Sequence, residues 1–168
     1  MDRLKFLLQI KTWKLFCVFI SIFLFGWSTF FEIYILPIII LLWFCWVVSI
    51  GYNGQDLLGE LSISWLTKKR FQWTAIVLFV LMLASILLSS FTNNGSDISP
   101  IIIIAFALIG MYCFYYVFIA SAVVIATIEY KRKADFGSSF GHFLRLLIFP
   151  LGVFGIQPIL NKQFEELY

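Results

Sequence analysis

Residues 101–128 read IIIIAFALIGMYCFYYVFIASAVVIATI, a run of 28 residues without a charge. As a helix it extends about 42 Å at about 1.5 Å per residue. A bilayer's hydrocarbon core is only about 30 Å thick, so this helix must tilt or project into the cytoplasm. Ser99 and Pro100 supply a cap and a first-turn proline at its start, and Glu129 with Lys131-Arg132-Lys133 closes it. Within the run, Tyr112, Tyr115 and Tyr116 carry hydroxyls that need partners. Ser85 and Ser89 of the preceding segment are the expected ones, with a lipid or quinone pocket as the alternative. Ala122 and Ala126 form a small-xxx-small pair that suits close helix approach.

Upstream, Trp73–Phe91 is a second apolar run, joined to 101–128 by the turn-forming residues TNNGSDISP. Asn94-Gly95-Ser96 is formally a glycosylation sequon but reads as an Asn-Gly turn. Leu15 to Ile50 is apolar almost throughout; as one helix it would be about 54 Å long, so it must fold back. Glu32 marks the tip, and Pro37 suits the first turn of the returning helix. Four spans follow, at about 15–31, 35–51, 73–91 and 101–128, arranged as two hairpins. In the connection 51–72, Gly51, Asn53 and Gly54 end the second span. Leu57, Leu58, Leu61 and Trp65 then share a helical face, predicting an interfacial amphipathic helix over 56–67. Residues 1–14 read as a basic, interfacial start, and no cleavable leader is expected.

Composition agrees with this class. The chain of 168 residues is 62% hydrophobic, 20% aromatic and 12% charged, with mean hydropathy +0.99. A soluble domain is about 45–50% apolar and about 25% charged, so too little polar surface is left to face water all round. The fold class is an all-α integral membrane protein, one membrane domain over 1–168 with the lipid bilayer as its first partner. The 12 basic residues all fall on 1–14, 51–72 and 129–168, while the two outer turns hold only Glu32 and Asp97 among charges. The positive-inside rule then puts both termini in the cytoplasm. Basic residues at span ends meet anionic headgroups, and no nucleic-acid partner is expected. Cys17, Cys45 and Cys113 lie in apolar segments and read as small buried hydrophobes.

The tail 134–168 is the ambiguous segment. Phe143 to Leu160 is apolar enough for a fifth span, but Arg145, Pro150, Gly152, Gly155, Gln157 and Pro158 interrupt it. An interior proline costs about 3 kcal/mol, and lipid offers no water to the freed groups. An interfacial or re-entrant cytoplasmic segment is the expectation.

Little chemistry is visible. The span interiors contain no ionisable residue other than tyrosine and cysteine, and buried charge is where membrane catalysis and transport usually reside. No cofactor and no metal site is expected. Glu129, Asp135 and the lone His142 match no ligand spacing. Ser138 and Ser139 lack a GxSxG turn, and Gly137-Ser-Ser-Phe-Gly141 lacks the lysine of a phosphate loop, so its glycines read as turns. The run Phe149-Pro-Leu-Gly-Val-Phe-Gly-Ile-Gln-Pro-Ile-Leu-Asn-Lys162 has the pattern F-P-x-G-x-x-x-I-Q-P-x-x-N-K. It resembles the ending of small polytopic bacterial inner-membrane proteins. That resemblance implies a bacterial cytoplasmic membrane and carries no activity; its plainer reading is a helix-ending turn at the surface. The function expected is a non-catalytic accessory or scaffold subunit with a membrane-protein partner or a second copy. Its candidate docking surface is Gln157, Pro158, Asn161, Lys162, Trp65, His142 and Arg145. The alternatives are an oligomeric transporter or channel lined by Ser85, Ser89 and Tyr112, and a lipid-active enzyme using His142, Arg145 and Asp135.

Overall fold

The structure is a computed structural model that describes residues 36–61, 63–93, 100–148 and 151–167, together with Lys14 and Cys17. Among these residues it is all-helical: α1 (Leu36–Asn53), α2 (Lys68–Asn93), α3 (Pro100–Tyr130), α4 (Phe136–Leu147) and α5 (Leu151–Leu167). The expected first span 15–31, the tip at Glu32 and the turn 94–99 lie outside the described residues, except that Lys14 and Cys17 are helical. Cys17 is exposed rather than buried; Cys45 is half-buried and Cys113 buried, and all are free.

Among the described residues one helix, α3, is a clear candidate to cross a membrane by length and composition. It is also the helix on which the others pack. Its two halves differ. Ile101–Ile104, Leu108, Ile109, Met111 and Tyr112 are exposed, whereas Val117, Phe118 and Ala120–Ile128 are buried on every side. Hydropathy does not separate the halves; side-chain size does. Ala120, Ser121, Ala122 and Ala126 leave room for neighbouring helices to come close. The closest approach is at Gly51 of α1, where an added Cβ would sit 2.2 Å from Phe71 Cζ and 2.6 Å from Ser121 Oγ. Gly51 therefore lies within α1, at the junction of α1, α2 and α3, rather than ending it. Ser121 Oγ also donates to the Val47 carbonyl at 3.0 Å.

The connection between α1 and α2 departs from expectation. In place of an amphipathic α-helix over 56–67 there are two short 3-10 turns, Gly54–Leu57 and Gly59–Leu61, then a turn at 64–65. Gly54 and Gly59 weaken helix propagation, and packing supplies a better use for the leucines. Leu58 and Leu66 are drawn into the protein core instead of lying on a lipid surface. Helix α2 begins at Lys68, five residues before the apolar run, so the Lys68-Lys69-Arg70 cluster forms its first turn.

Helix α3 ends at Tyr130, and Lys131 just beyond it has a φ of 50°, the left-handed conformation common after helix C-termini. Thr127 Oγ1 accepts the Ala134 N–H at 3.2 Å, tying the turn to the helix. Asp135 then caps α4: its carboxylate accepts from Ser138 N–H at 2.8 Å, and Ser138 Oγ accepts from Asp135 N–H at 3.1 Å. The bond from Ser138 N–H holds the Asp135 carboxyl below its usual range. This capping box extends the helix through Gly137 and Gly141, which sit inside α4 and not in turns. Helix α4 doubles back along α3, with Phe143 stacked on Tyr115 at 6.4 Å. Between α4 and α5 the chain bends by 119°, so 143–160 forms a hairpin rather than a straight rod.

Candidate functional site

The hairpin α4–α5 carries most of the polar detail, and each of its helices has two faces. On α4, Ser139, His142, Phe143 and Leu146 face inward, while Phe136, Phe140, Leu144 and the cap residue Ile148 recur every fourth residue outward. On α5, Val153, Ile156, Gln157 and Leu160 face inward, while Phe154, Pro158 and Lys162 face outward.

This sorts the expected docking residues into two groups. Pro158, Lys162, Arg145 and Trp65 are exposed and Asn161 is half-buried. Gln157 and His142 are corrections: they are 0% and 3% exposed and belong to the interior. Gln157 Oε1 accepts from the indole N–H of Trp46 at 2.8 Å, and Gln157 Nε2 donates to Asn161 Oδ1 at 3.2 Å. The I-Q-P-x-x-N-K segment is therefore the middle of α5, joining the tail to α1, and not a helix-ending turn. Pro158 is tolerated there because it lies on the outer face, where the loss of its N–H falls on the exposed side.

His142 Nε2 lies 2.7 Å from Glu129 Oε2, and its Nδ1 has no partner among the described residues. Tyr130's ring is 6.1 Å away. Asp135, spent as the α4 cap, does not join Glu129 and His142, and no group of three metal-ligating side chains occurs among the described residues. Burial pushes the His142 imidazole below its ordinary value; Glu129 pulls it back up and Arg145 adds to the lowering. A depressed histidine stabilises the fold above its ordinary value of 6.5, and that stability is lost as pH falls toward the folded value, because the unfolded chain takes up the proton first. Thermal unfolding in detergent should therefore occur at progressively lower temperature as pH is taken from about 7 to about 5. His142→Leu should flatten the part of that slope due to this group; an unchanged slope would show that His142 does not titrate as described.

The α3 tyrosines do not pair with Ser85, and the side chain of Ser89 lies outside the described residues. Ser85 Oγ donates to the Met82 carbonyl in its own helix at 2.7 Å. Tyr112 Oη instead accepts from Arg70 Nη2 at a long 3.5 Å, and Tyr116 lies under the Arg70 guanidinium, 5.3 Å from its ring centroid. Sequence spacing could not pair them: α2 starts early enough to carry Arg70 back to the aromatic stretch. A shallow, mostly apolar cleft of about 210 Å³ lies between Leu57, Leu58, Leu61, Ile128 and Gln163.

No family model, no curated protein and no solved structure matches the chain.

Proposed function

We propose that the chain is a four-span protein of a bacterial cytoplasmic membrane, with both termini in the cytoplasm. It acts there as a non-catalytic accessory subunit that docks a membrane-protein partner through the outer face of α5. The observation that carries this reading is the stripe Phe154, Pro158 and Lys162, exposed at successive helical turns on a helix anchored from behind by Gln157 and Trp46. Only an outward stripe on a fixed helix offers a partner a pre-ordered surface, which lowers the entropy lost on binding. The four spans at 15–31, 35–51, 73–91 and 101–128 are supported by the apolar α3 and by the one-sided basic residues. The hairpin is read as a re-entrant or interfacial element, since α4 doubles back beside α3 with an apolar outer stripe.

A photo-crosslinking residue at Pro158 or Lys162 should give one discrete adduct with a membrane protein in native membranes, and the same group at buried Ile156 should give none. Lys162→Glu should weaken the Pro158 adduct. Recovery from mild detergent as a lone monomer, with no adduct at either outward position, would overturn the docking role.

A further inference from the structure

The Lys68-Lys69-Arg70 cluster was read as a topology signal, yet Arg70 is held in a specific way. Its N–H is fixed by Thr67 Oγ1 at 3.3 Å in the first turn of α2. Its guanidinium reaches Tyr112 Oη and lies over the Tyr116 ring. Trp65 packs edge-on to Tyr116 at 6.1 Å, and Tyr112 stacks on Tyr116 at 6.5 Å, so the platform is built from both sides. Lys68 is paired with Asp56, but among the described residues no carboxylate pairs with Arg70. Tyr112 is exposed and accepts from Arg70, which leaves its own O–H able to donate to a ligand. A guanidinium presents five N–H donors in a planar fork that matches phosphate oxygens. Here one donor is used on Tyr112 and the group remains exposed.

The surroundings say what kind of phosphate would come. From this cluster an exposed apolar strip runs along α2 through Trp73, Ile76, Val77, Val80 and Leu83. Leu108 and Ile109 of α3 are exposed as well. A soluble anion would use only the fork. A phospholipid would use both parts, with its phosphate on Arg70 and Tyr112 and an acyl chain on the strip.

We infer that Arg70, Tyr112, Tyr116 and Trp65 form a binding site for an anionic phospholipid, its phosphate seated on the Arg70 guanidinium and the Tyr112 hydroxyl. This deepens the membrane reading above and rests on it, so integration is checked first: failure of the full chain to stay with carbonate-washed membranes would sink that reading and not this site. The site is then tested by native mass spectrometry of the delipidated full chain in detergent, with phosphatidylglycerol or phosphatidylcholine added. Wild type should retain phosphatidylglycerol by about fivefold over phosphatidylcholine, the worth of one well-placed cation at an anionic surface. Arg70→Gln should abolish the preference and Arg132→Gln should keep it. Tyr112→Phe, which removes a single exposed oxygen and leaves the platform, should reduce it while the unfolding temperature stays near wild type. An unchanged preference in both Arg70→Gln and Tyr112→Phe would overturn the site, and so would equal losses in Arg70→Gln and Arg132→Gln, which mark diffuse charge. Displacement of the lipid by millimolar inorganic phosphate would overturn the lipid assignment in favour of a soluble phosphate.

Discussion

Replacing Gly152 with alanine is expected to break the seating of α5 on α4 and lower the unfolding temperature of the detergent-solubilised protein. An added Cβ would stand 2.2 Å from the Arg145 carbonyl oxygen and 3.0 Å from its carbon. Those atoms are backbone in the last turn of α4 and cannot swing aside like a side-chain end. The Gly152 N–H also donates to the Ile148 carbonyl at 3.1 Å, so the same residue carries the bend. Overpacking commonly costs about 1–3 kcal/mol, and a backbone neighbour puts this case at the upper end. Gly141→Ala is the matched control. It lies in α4 with nothing within 4 Å of the added Cβ, so it should gain about 0.5–1 kcal/mol from helix propensity. Protease cleavage between α4 and α5 should accelerate in Gly152→Ala alone. Equal unfolding temperatures for Gly152→Ala and wild type would show that the helices do not cross at this glycine.

Much of the architecture could be read from the residues. The all-helical class followed from a charge-free run too long to be anything else, and Ser99-Pro100 and Lys131-Arg132-Lys133 bracketed α3 to within a residue or two. Asp135 and Ser138 sit at capping-box spacing, a signal that was available and would have kept Gly137 and Gly141 out of turns. Other features were hidden for physical reasons. Leu57, Leu58, Leu61 and Trp65 satisfy a helical face, but periodicity cannot say whether leucines meet lipid or protein, and Leu58 meets protein. The inward side of α5 was equally hidden. Gln157 looks like a surface residue by composition, and only its partner Trp46, 111 residues away, gives it a reason to be buried.

The split between the two halves of α3 has a consequence for where function resides. The exposed half offers its side chains to the surroundings, whereas the half from Val117 to Ile128 is enclosed by neighbouring helices. Polar bonds cluster around the enclosed half: Trp46 to Gln157, Ser121 to Val47, Asn53 to Ser49 at 3.2 Å, and His142 beside Glu129. Two of these, Trp46 to Gln157 and His142 beside Glu129, fix the hairpin to α1 and α3, so a surface presented by the hairpin moves only if those helices move with it.

Gln157→Glu is accordingly expected to be the most damaging single substitution in the tail. It keeps the size of the side chain and places a carboxylate at a fully buried position beside Trp46 and Asn161. Trp46 and Asn161 supply no positive charge, and burying a carboxylate costs several kcal/mol or forces the acid to stay protonated unless a cation compensates it. The variant should thus unfold at a lower temperature than wild type near neutral pH and recover part of the loss on acidification. Gln157→Leu removes the charge problem but strands the Trp46 indole N–H, an expected loss of about 1–3 kcal/mol. Trp46→Phe strands the glutamine oxygen instead and adds a packing defect. The double variant Trp46→Phe with Gln157→Leu strands neither group, so it should be less destabilised than the sum of the two single changes. A cycle of unfolding free energies that closes additively would mean the two side chains do not interact, and the tail would then be held to α1 by apolar contact alone.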